Sequence, residues 1–482
     1  MDEVRRFLVG KEWRDSVQSV GVIDPYSGEE IAQVYYAGEQ DVEDAVRIAR
    51  ASFEENRRLP AYERANLLYA LAKRIEENRD DLAKLIMQEA GKPIRYAYAE
   101  VDRAVQTVTL SAEAARHLGG ESLVLEANPQ SAGFWGLTRR FPRGVIVGIT
   151  PFNFPLNLVL HKVAPALASG NAIILKPAPQ TPLTALALAE LIQDVGVPAG
   201  LFQVLPCSNE VAQKLATHPG VDMLSFTGSA AVGWKLKALA SEKKVVLELG
   251  GNAAMIVDSG CEWDKAVKRG VTGAFAYAGQ ICISVQRIFV HRPAFDSYVS
   301  DYLGQARNLP VGDPSSLETV VGPMITLEAA QRVESWVNEA TGQGARALLL
   351  GKREGHVLHP TVLTNTNPEM KVWKEEIFGP VVLIEPFSEF EEALDMVNDS
   401  VYGLQAGVFT NDLKKVDLAF RELKVGGVII NEYPTFRVDQ MPYGGVKRSG
   451  YGREGIRYAI EEMTEPRLLV VNPENPINKR KE

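Results

Sequence analysis

The stretch Gly144-Val-Ile-Val-Gly-Ile-Thr150 begins a regular alternation of strands and helices that decides the fold. It is short, apolar and rich in β-branched residues, as expected of a strand that is buried on both faces. The sequence predicts further strands at 171–175, 201–205, 223–226 and 244–248, and intervening helices at 156–168, 182–195, 208–217 and 229–240. This order predicts a mostly parallel sheet with helices on both faces.

A second α/β block is predicted from about residue 250. Its predicted strands are 285–290, 346–350, 381–385 and 426–430, and its predicted helices are 263–278, 294–306, 326–341, 388–397 and 413–422. The first 120 residues are predicted to be mainly helical, with helices at 40–56, 61–77 and 79–90, the last ending at Gly91. The fold class is therefore α/β.

Two segments stand apart from this alternation. Residues 122–142 are turn-rich and strand-like, which favours an extended arm over core structure. Residues 467–472 form a short apolar strand near the carboxyl terminus. That strand is expected either at the edge of the main sheet or paired with a partner chain.

The composition limits the classes of function. A chain of 482 residues is expected to form two or three domains. Its net charge of −9 disfavours nucleic-acid and acidic-membrane partners. The three cysteines, without a CxxC pair, favour a reducing compartment, and the scattered histidines suggest no metal site. No apolar run reaches membrane-spanning length, so a cytoplasmic protein is expected.

A thiol and a carboxylate, each beside glycines, are the most informative candidates for chemistry. Cys282 ends Gly279-Gln-Ile-Cys282, and Glu248 begins Glu248-Leu-Gly-Gly251. A thiol can attack a carbonyl, and a carboxylate can activate the water that later hydrolyses the thioester. Considered alone, such a cysteine is more often a small buried hydrophobe and such glycines are more often a turn.

Three further candidates follow predicted strands, where open α/β sheets place their ligand crevice. The Asn153 amide could donate to an oxyanion or could simply cap its turn. Lys176 could bind ribose hydroxyls or a phosphate, or be solvated. Gly228 allows close backbone approach, and Ser229 at a helix N-terminus could face a pyrophosphate or be an ordinary N-cap.

Seven motifs in one order make the chain recognisable. It resembles the aldehyde dehydrogenase superfamily, of the NAD(P)-dependent hydrolytic type, over nearly its whole length. The motifs that carry the resemblance are Pro151-Phe-Asn-Phe-Pro155, Lys176-Pro177, Phe226-Thr-Gly-Ser229, Glu248-Leu-Gly-Gly251, Gly279-Gln-Ile-Cys282, Glu375-Glu-Ile-Phe-Gly-Pro380 and Pro442-Tyr-Gly-Gly-Val-Lys-Arg-Ser-Gly450. Each is modestly specific, but the ordered set is very hard to obtain by chance.

The resemblance implies a catalytic role for three residues. Cys282 is expected to be the nucleophile and Glu248 the general base. Asn153, with the backbone N–H of Cys282, is expected to bind the oxyanion. The implied path runs from aldehyde to thiohemiacetal, then by hydride transfer to a thioester, and by hydrolysis to the carboxylic acid.

The resemblance also implies a dinucleotide site. Lys176 is expected at the adenosine ribose, and Glu376 at the nicotinamide ribose with Phe378 nearby. Ser229 is expected at the pyrophosphate, in the segment that contains Gly228 and Gly233. Family members that prefer NAD usually carry Glu where this chain has Pro179, so the resemblance implies NADP or NAD as cofactor.

Substrate residues are expected beside the cysteine and in the loop before Pro442. They are Tyr277, Ile281, Ile283 and Arg437. Arg437 is expected either to bind a polar group of the substrate or to pair with Asp439. The loop is similar to the lactaldehyde and non-phosphorylating glyceraldehyde-3-phosphate dehydrogenase branch. A small polar aldehyde is therefore expected, with lactaldehyde, glyceraldehyde 3-phosphate and succinate semialdehyde as candidates.

Other readings remain open at this point. A CoA-acylating enzyme would use the same cysteine but typically lacks the glutamate, and a non-catalytic protein would be expected to have lost Cys282 or Asn153. By resemblance, residues 1–121 and 143–248 form the cofactor-binding domain and 249–430 the catalytic domain. Residues 122–142 and 431–482 would form an oligomerisation arm and carboxyl-terminal segment, which implies a homodimer or homotetramer.

Overall fold

The computed structural model describes residues 4–240 and 242–472. The strands are β1 Phe7–Val9, β2 Glu12–Arg14, β3 Ser19–Ile23, β4 Glu30–Tyr35, β5 Ser122–Val124, β6 Trp135–Pro142, β7 Val145–Ile149, β8 Ala172–Lys176, β9 Phe202–Val204, β10 Met223–Thr227, β11 Lys244–Glu248, β12 Ala254–Val257, β13 Arg287–His291, β14 Arg346–Leu349, β15 Arg353–Glu354, β16 Val357–Leu358, β17 Thr361–Thr364, β18 Val381–Phe387, β19 Gln405–Phe409, β20 Gly427–Ile430, β21 Gly450–Tyr451 and β22 Thr464–Val471.

The α-helices alternate with these strands through most of the chain. They are α1 Glu39–Asn56, α2 Ala61–Glu77, α3 Arg79–Ala90, α4 Ile94–His117, α5 Asn157–Ser169, α6 Leu183–Asp194, α7 Asn209–Thr217, α8 Ala230–Leu239, α9 Trp263–Phe275, α10 Phe295–Ala306, α11 Leu327–Gly342, α12 Lys371–Lys374, α13 Phe390–Asn398, α14 Leu413–Glu422 and α15 Ile456–Glu462.

The first sheet has the strand order β2-β1-β9-β8-β7-β10-β11-β21. Its five central strands, β9 to β11 in that order, are parallel, whereas β1, β2 and β21 are antiparallel additions. The chain moves outward from β7 in one direction and then resumes at β10 on the other side. A ligand crevice is expected where the order reverses, outside the carboxyl ends of β7 and β10.

The second sheet has the order β14-β17-β18-β13-β12-β19-β20, and only β14 is antiparallel to its neighbour. Each large sheet packs its own hydrophobic core, one reaching from Phe7 to Leu249 with part of α15, the other from Ala254 to Leu423. The α/β fold with two parallel-strand units is confirmed. The division of the chain into three domains stays a prediction.

A separate three-stranded sheet contains the predicted arm. Its order is β22-β6-β5, with Leu469 paired to Leu137. The alternative that the carboxyl-terminal strand forms an edge of the main sheet is wrong, because β22 pairs along its whole length with β6.

Two other expectations need correction. The helix predicted at 263–278 ends at Phe275, because Tyr277 and Ala278 have left-handed backbone angles that interrupt it. The first 120 residues also contain four short strands, β1 to β4, which the emphasis on helices missed. Gly91, with φ of 62°, ends α3 as predicted.

Candidate active site

The loop before Cys282 is shaped by a tight left-handed turn. Tyr277, Ala278 and Gly279 have φ of 52°, 54° and 68°. A Cβ on Gly279 would lie 2.3 Å from the carbonyl oxygen of Gly379, so only glycine fits. Two consecutive non-glycine residues in this region are uncommon, and such backbone strain is concentrated at functional sites.

This turn brings Cys282 against Glu248, as predicted from the sequence. The Cys282 Sγ lies 3.6 Å from Oε1 of Glu248, which ends β11. On another side, Sγ lies 3.1 Å from the hydroxyl of Tyr443. Glu248 Oε2 is buried and has no hydrogen-bond partner among the described residues, so it can accept a further hydrogen bond.

Burial sets the protonation of this pair. It raises the pKa of Glu248 to about 7, together with the nearby charge of Glu454, while Arg437 and Lys162 oppose the rise. Burial, and then the charge of Glu248, raise the pKa of the Cys282 thiol well above its usual value. The Tyr443 hydrogen bond lowers that pKa. A carboxylate with a pKa near neutrality is suited to act as a general base.

Asn153 lies on the loop after β7, with its amide held in place. Its Nδ2 donates to the backbone oxygen of Gln280 at 2.9 Å, two residues before the thiol. Gln280 is itself anchored through Pro323 and Ile325. An amide has two hydrogens, so the second Asn153 hydrogen remains for a developing oxyanion.

A buried network of charged side chains adjoins Glu248. Glu454 accepts from Lys162 at 2.9 Å and from Arg437 at 3.2 Å, and Arg437 also contacts His161 at 2.8 Å. The suggestion that Arg437 pairs with Asp439 is wrong, because the arginine is paired with Glu454 instead. Although burial opposes it, Lys162, His161 and Arg437 hold the pKa of Glu454 well below its usual value.

Asp439 is tied to the same network from the far side. It accepts from Arg103 on α4 and lies against His161 Nε2, at 2.8 and 2.9 Å. His161 therefore stands between Arg437 and Asp439. These contacts join residues that are hundreds of positions apart in the sequence.

A cavity of about 300 Å³ lies on one side of the thiol. All four predicted substrate residues, Tyr277, Ile281, Ile283 and Arg437, line it. Three basic side chains that the sequence analysis did not select line it as well, namely Lys92, Arg103 and His161. Lys92 is buried, is paired with Glu100 at 2.5 Å, and lies 3.5 Å above the Phe154 ring.

A second cavity, of about 370 Å³, lies on the other side of the thiol. Of the predicted cofactor residues, Gly228, Ser229, Glu376 and Phe378 line it, together with Asn153, Glu248 and Cys282. Ser229 caps α8, accepting from Val232 N. The thiol therefore lies where the two cavities meet.

Close packing around this second cavity depends on glycines. Glu376 Oε1 accepts from Gly251 N at 3.0 Å, and a Cβ on Gly250 would lie 2.1 Å from Glu376 Oε2. A Cβ on Gly233 in α8 would lie 2.4 Å from Leu249, so that glycine lets the helix approach the sheet. Burial raises the pKa of Glu376 to about 7.

The remaining predicted cofactor residues lie farther along the same sheet edge. Lys176 ends β8 and is buried, which lowers its pKa, and Pro179, three residues later, is exposed. Neither residue lines the cavity at the thiol. The N-terminus of α8 is suited to bind phosphates, and the cavity at the thiol is suited to a nicotinamide.

Part of the site was not predicted from the sequence. Arg103, His161, Lys162, Glu454 and Lys92 were not selected, and Tyr443 was quoted only as part of a motif. His161 and Lys162 offered one signal, since they interrupt a helix whose thirteen residues are all buried. Charged residues inside a wholly buried helix must be paired, and they often mark a functional site.

Among residues 4–240 and 242–472, none of the helices combines the length and the apolar character that a membrane span requires. The sequence profile of the aldehyde dehydrogenase family matches residues 13–469.

Curated relatives extend over nearly the whole chain. A 3-sulfolactaldehyde dehydrogenase of Priestia aryabhattai is 44% identical over 465 residues, which cover 96% of this chain and 97% of the relative. A lactaldehyde dehydrogenase of Methanococcus aeolicus is 38% identical, with 96% and 99% covered.

Solved structures agree with this. Aldehyde dehydrogenase 21 from Physcomitrella patens, in complex with the reaction product succinate, is 38% identical with a TM-score of 0.96, covering 98% of this chain and 99% of that one. Glyceraldehyde-3-phosphate dehydrogenase GapN from Methanocaldococcus jannaschii, complexed with NADP, is 38% identical with a TM-score of 0.91, covering 95% and 99%. The predicted resemblance is confirmed, and the chain belongs to the aldehyde dehydrogenase family of oxidoreductases.

Proposed function

We propose that this enzyme oxidises a small, negatively charged aldehyde to its carboxylic acid, with NADP or NAD as oxidant. The observation that carries the proposal is the place of the Cys282 thiol, 3.6 Å from Glu248 and at the junction of two cavities. An aldehyde on one side and a nicotinamide on the other would then meet at one sulfur atom.

In the first step the Cys282 thiol gives its proton to Glu248 Oε1. The sulfur attacks the aldehyde carbon and forms the C–S bond, while the carbonyl oxygen becomes an oxyanion. Asn153 Nδ2 and the backbone N–H of Cys282 donate hydrogen bonds to that oxygen. Fixed donors in a buried site stabilise the developing charge without reorganisation.

A dinucleotide held here would supply hydride acceptance from the same carbon, and the oxyanion would re-form its C=O bond to give a thioester on Sγ. Ser229 at the N-terminus of α8, Lys176 and Glu376 would hold that dinucleotide. Pro179 removes the carboxylate that would repel a 2′-phosphate, which supports NADP use. The relative that was solved with NADP is in keeping with this.

Hydrolysis completes the cycle. Glu248 first releases to solvent the proton that it took from the thiol, and then takes a proton from water. The water oxygen adds to the thioester carbon, the C–S bond breaks with its electron pair returning to sulfur, and the acid leaves. The proton on Glu248 then returns to the sulfur and restores the thiol. Retention of Glu248 supports this hydrolytic end of the reaction over transfer to coenzyme A.

The basic side chains of the substrate cavity support an anionic aldehyde. Lys92, Arg103 and Arg437 line the cavity, and although they are paired with Glu100, Asp439 and Glu454, each has further N–H groups that can donate to a bound anion. Two of the similar proteins carry names with anionic compounds, 3-sulfolactaldehyde and succinate. Sulfonate, carboxylate and phosphate aldehydes are therefore preferred to lactaldehyde, which is neutral.

Steady-state kinetics with four aldehydes tests this preference. We expect higher kcat/KM for 3-sulfolactaldehyde, succinate semialdehyde or glyceraldehyde 3-phosphate than for lactaldehyde, each assayed with NADP and NAD. Arg103→Gln should raise KM for the preferred anion roughly tenfold, the scale of one charged hydrogen bond, and leave lactaldehyde unchanged. Arg95→Gln, on the exposed face of α4, is the matched control. Preference for lactaldehyde would overturn the anionic assignment.

We also propose that the arm assembles copies of this chain in the cytoplasm. One face of its sheet exposes Val124, Trp135, Leu137 and Leu469, which the pairing register places side by side. An apolar face of this kind is typical of an interface. The three free cysteines are in keeping with a reducing compartment.

A further inference from the structure

The Tyr443 hydroxyl contacts the reacting sulfur and has no other assigned role. Its ring is 1% exposed and packs with Ile283 and Leu404. Its backbone is fixed by a two-way pairing with Glu454, in which Tyr443 N donates to Glu454 O at 3.0 Å. The 3.1 Å contact between Oη and Sγ is therefore built into the fold.

The surroundings decide which atom donates. Sγ faces Glu248 Oε1 on its other side, and an ionised carboxylate can only accept. A thiol has one hydrogen, so when it points to Glu248 the tyrosine must donate to sulfur. After the thiol has lost its proton, the tyrosine is again the donor. Burial raises the pKa of Tyr443 well above its usual value, so the hydroxyl keeps its hydrogen.

Arg437 strengthens this donor. Its guanidinium carbon lies 3.6 Å from the centre of the Tyr443 ring, as in a cation–π contact. A positive charge over the ring draws electron density from the phenol and makes its O–H a better hydrogen-bond donor. The same arginine is fixed by Glu454 and His161, so the stack does not depend on a ligand.

We propose that Tyr443 is a further catalytic residue, which donates a hydrogen bond to the Cys282 sulfur and stabilises it as an anion. It would act twice in the proposed reaction, on which this inference rests. In the first step the proton leaves Sγ for Glu248 and the sulfur becomes anionic before the C–S bond forms. In the last step the C–S bond breaks and its electron pair returns to sulfur. The same hydroxyl then donates a hydrogen bond to the anionic sulfur.

Alkylation of Cys282 by iodoacetamide tests this without any aldehyde. The rate at Cys282 would be followed by peptide mass spectrometry against pH, in the enzyme without substrate. Cys261, whose pKa burial raises to about 11, provides an internal reference. Tyr443→Phe removes only the hydroxyl, and Tyr433→Phe removes a hydroxyl from the same cavity without touching Sγ.

We expect Tyr443→Phe to move the midpoint of the pH profile upward by about one unit, since a charged hydrogen bond is worth roughly tenfold in an equilibrium. The rate at neutral pH should fall only about threefold, because a more basic thiolate is also more nucleophilic. Tyr433→Phe should keep the wild-type midpoint. In the aldehyde reaction, Tyr443→Phe should slow both the burst and the steady state.

Replacement of Tyr443 by 3-fluorotyrosine should shift the midpoint of the pH profile in the opposite direction. This second variant also keeps the test possible if Tyr443→Phe fails to fold. The fluorinated phenol is a stronger donor, so the midpoint should move downward. An unchanged midpoint in both folded variants would overturn the role of Tyr443. If Cys282→Ala still oxidised aldehydes, the proposed function itself would be wrong. The two results are therefore distinguishable, because one concerns Tyr443 and the other Cys282.

Discussion

Two buried carboxyl groups with a pKa near 7 face the cofactor side of the thiol, Glu248 and Glu376. They have different surroundings. Glu248 Oε1 faces the Cys282 thiol, whereas Glu376 Oε1 accepts from the backbone of Gly251. The proposed mechanism gives only Glu248, which contacts the sulfur, the task of taking a proton from water, and this leads to a prediction about pH.

Because the pKa of Glu248 is raised to about 7, its basic form grows as pH rises through that value. The rate of thioester hydrolysis should therefore rise roughly tenfold per pH unit below about pH 7 and level off above it. Rapid-mixing measurement of the hydrolysis phase checks this. Glu376→Gln should still show this rise of rate below about pH 7. If the rise disappears in that variant, it belongs to Glu376 and the assignment to Glu248 is wrong.

At this scale the sequence predicts the reacting residues better than their environment. Cys282, Glu248 and Asn153 each lie in a short motif, so they can be selected without a fold. Arg103 cannot, because its partner Asp439 comes from the other end of the chain. The incorrect pairing of Arg437 with Asp439 has a different cause, since Asp439 is two residues away in the sequence and the true partner, Glu454, is 17 residues away.

The elements around the thiol depend on where α9 stops. Apolar spacing continues through 263–278 and predicts an unbroken helix, but the left-handed turn at Tyr277 and Ala278 ends it earlier. The short strands β12 and β19 were also missed, being apolar runs of only four and five residues with little alternation. The strands β7 and β8, which also have five residues each, could be predicted because they are rich in β-branched residues and are bounded by clear turns.

Gly279→Ala should displace the thiol, because its Cβ would meet the Gly379 carbonyl and the φ of 68° disfavours any side chain. We expect the free energy of unfolding to fall by about 1–3 kcal/mol and kcat to fall roughly a hundredfold. Thermal melting and steady-state assays measure the two effects. Gly304→Ala, in α10 with nothing within 4 Å of the added carbon, should change neither appreciably. Equal behaviour of the two variants would contradict the account of the turn.

At the scale of the whole molecule, the two large sheets and the arm were foreseen from the order of elements and the resemblance. The pairing of β22 with β6 within one chain was not, because strand partners far apart in sequence leave no local signal. Both ends of the arm sheet remain edges in the single chain, with β5 and β22 as outer strands.

Leu469→Glu should weaken self-association, because it places a charge on the exposed apolar face of the arm. Sedimentation velocity should show a dimer or tetramer for the wild type and a shift to smaller species for the variant. Leu317→Glu, an exposed leucine away from the arm, is the control and should sediment like the wild type. A monomeric wild type would contradict the role of the arm.

Trapping the thioester tests the central claim most directly. Glu248→Gln would be mixed with NADP and the best aldehyde of the substrate panel, quenched in acid, and digested for mass spectrometry. The proposed mechanism predicts a burst of NADPH that is slower than in the wild type, because the variant lacks the acceptor of the thiol proton, but that still approaches the enzyme concentration. It also predicts no steady turnover and the acyl mass on Cys282. Continued turnover by this variant, or a burst without an adduct on Cys282, would contradict it.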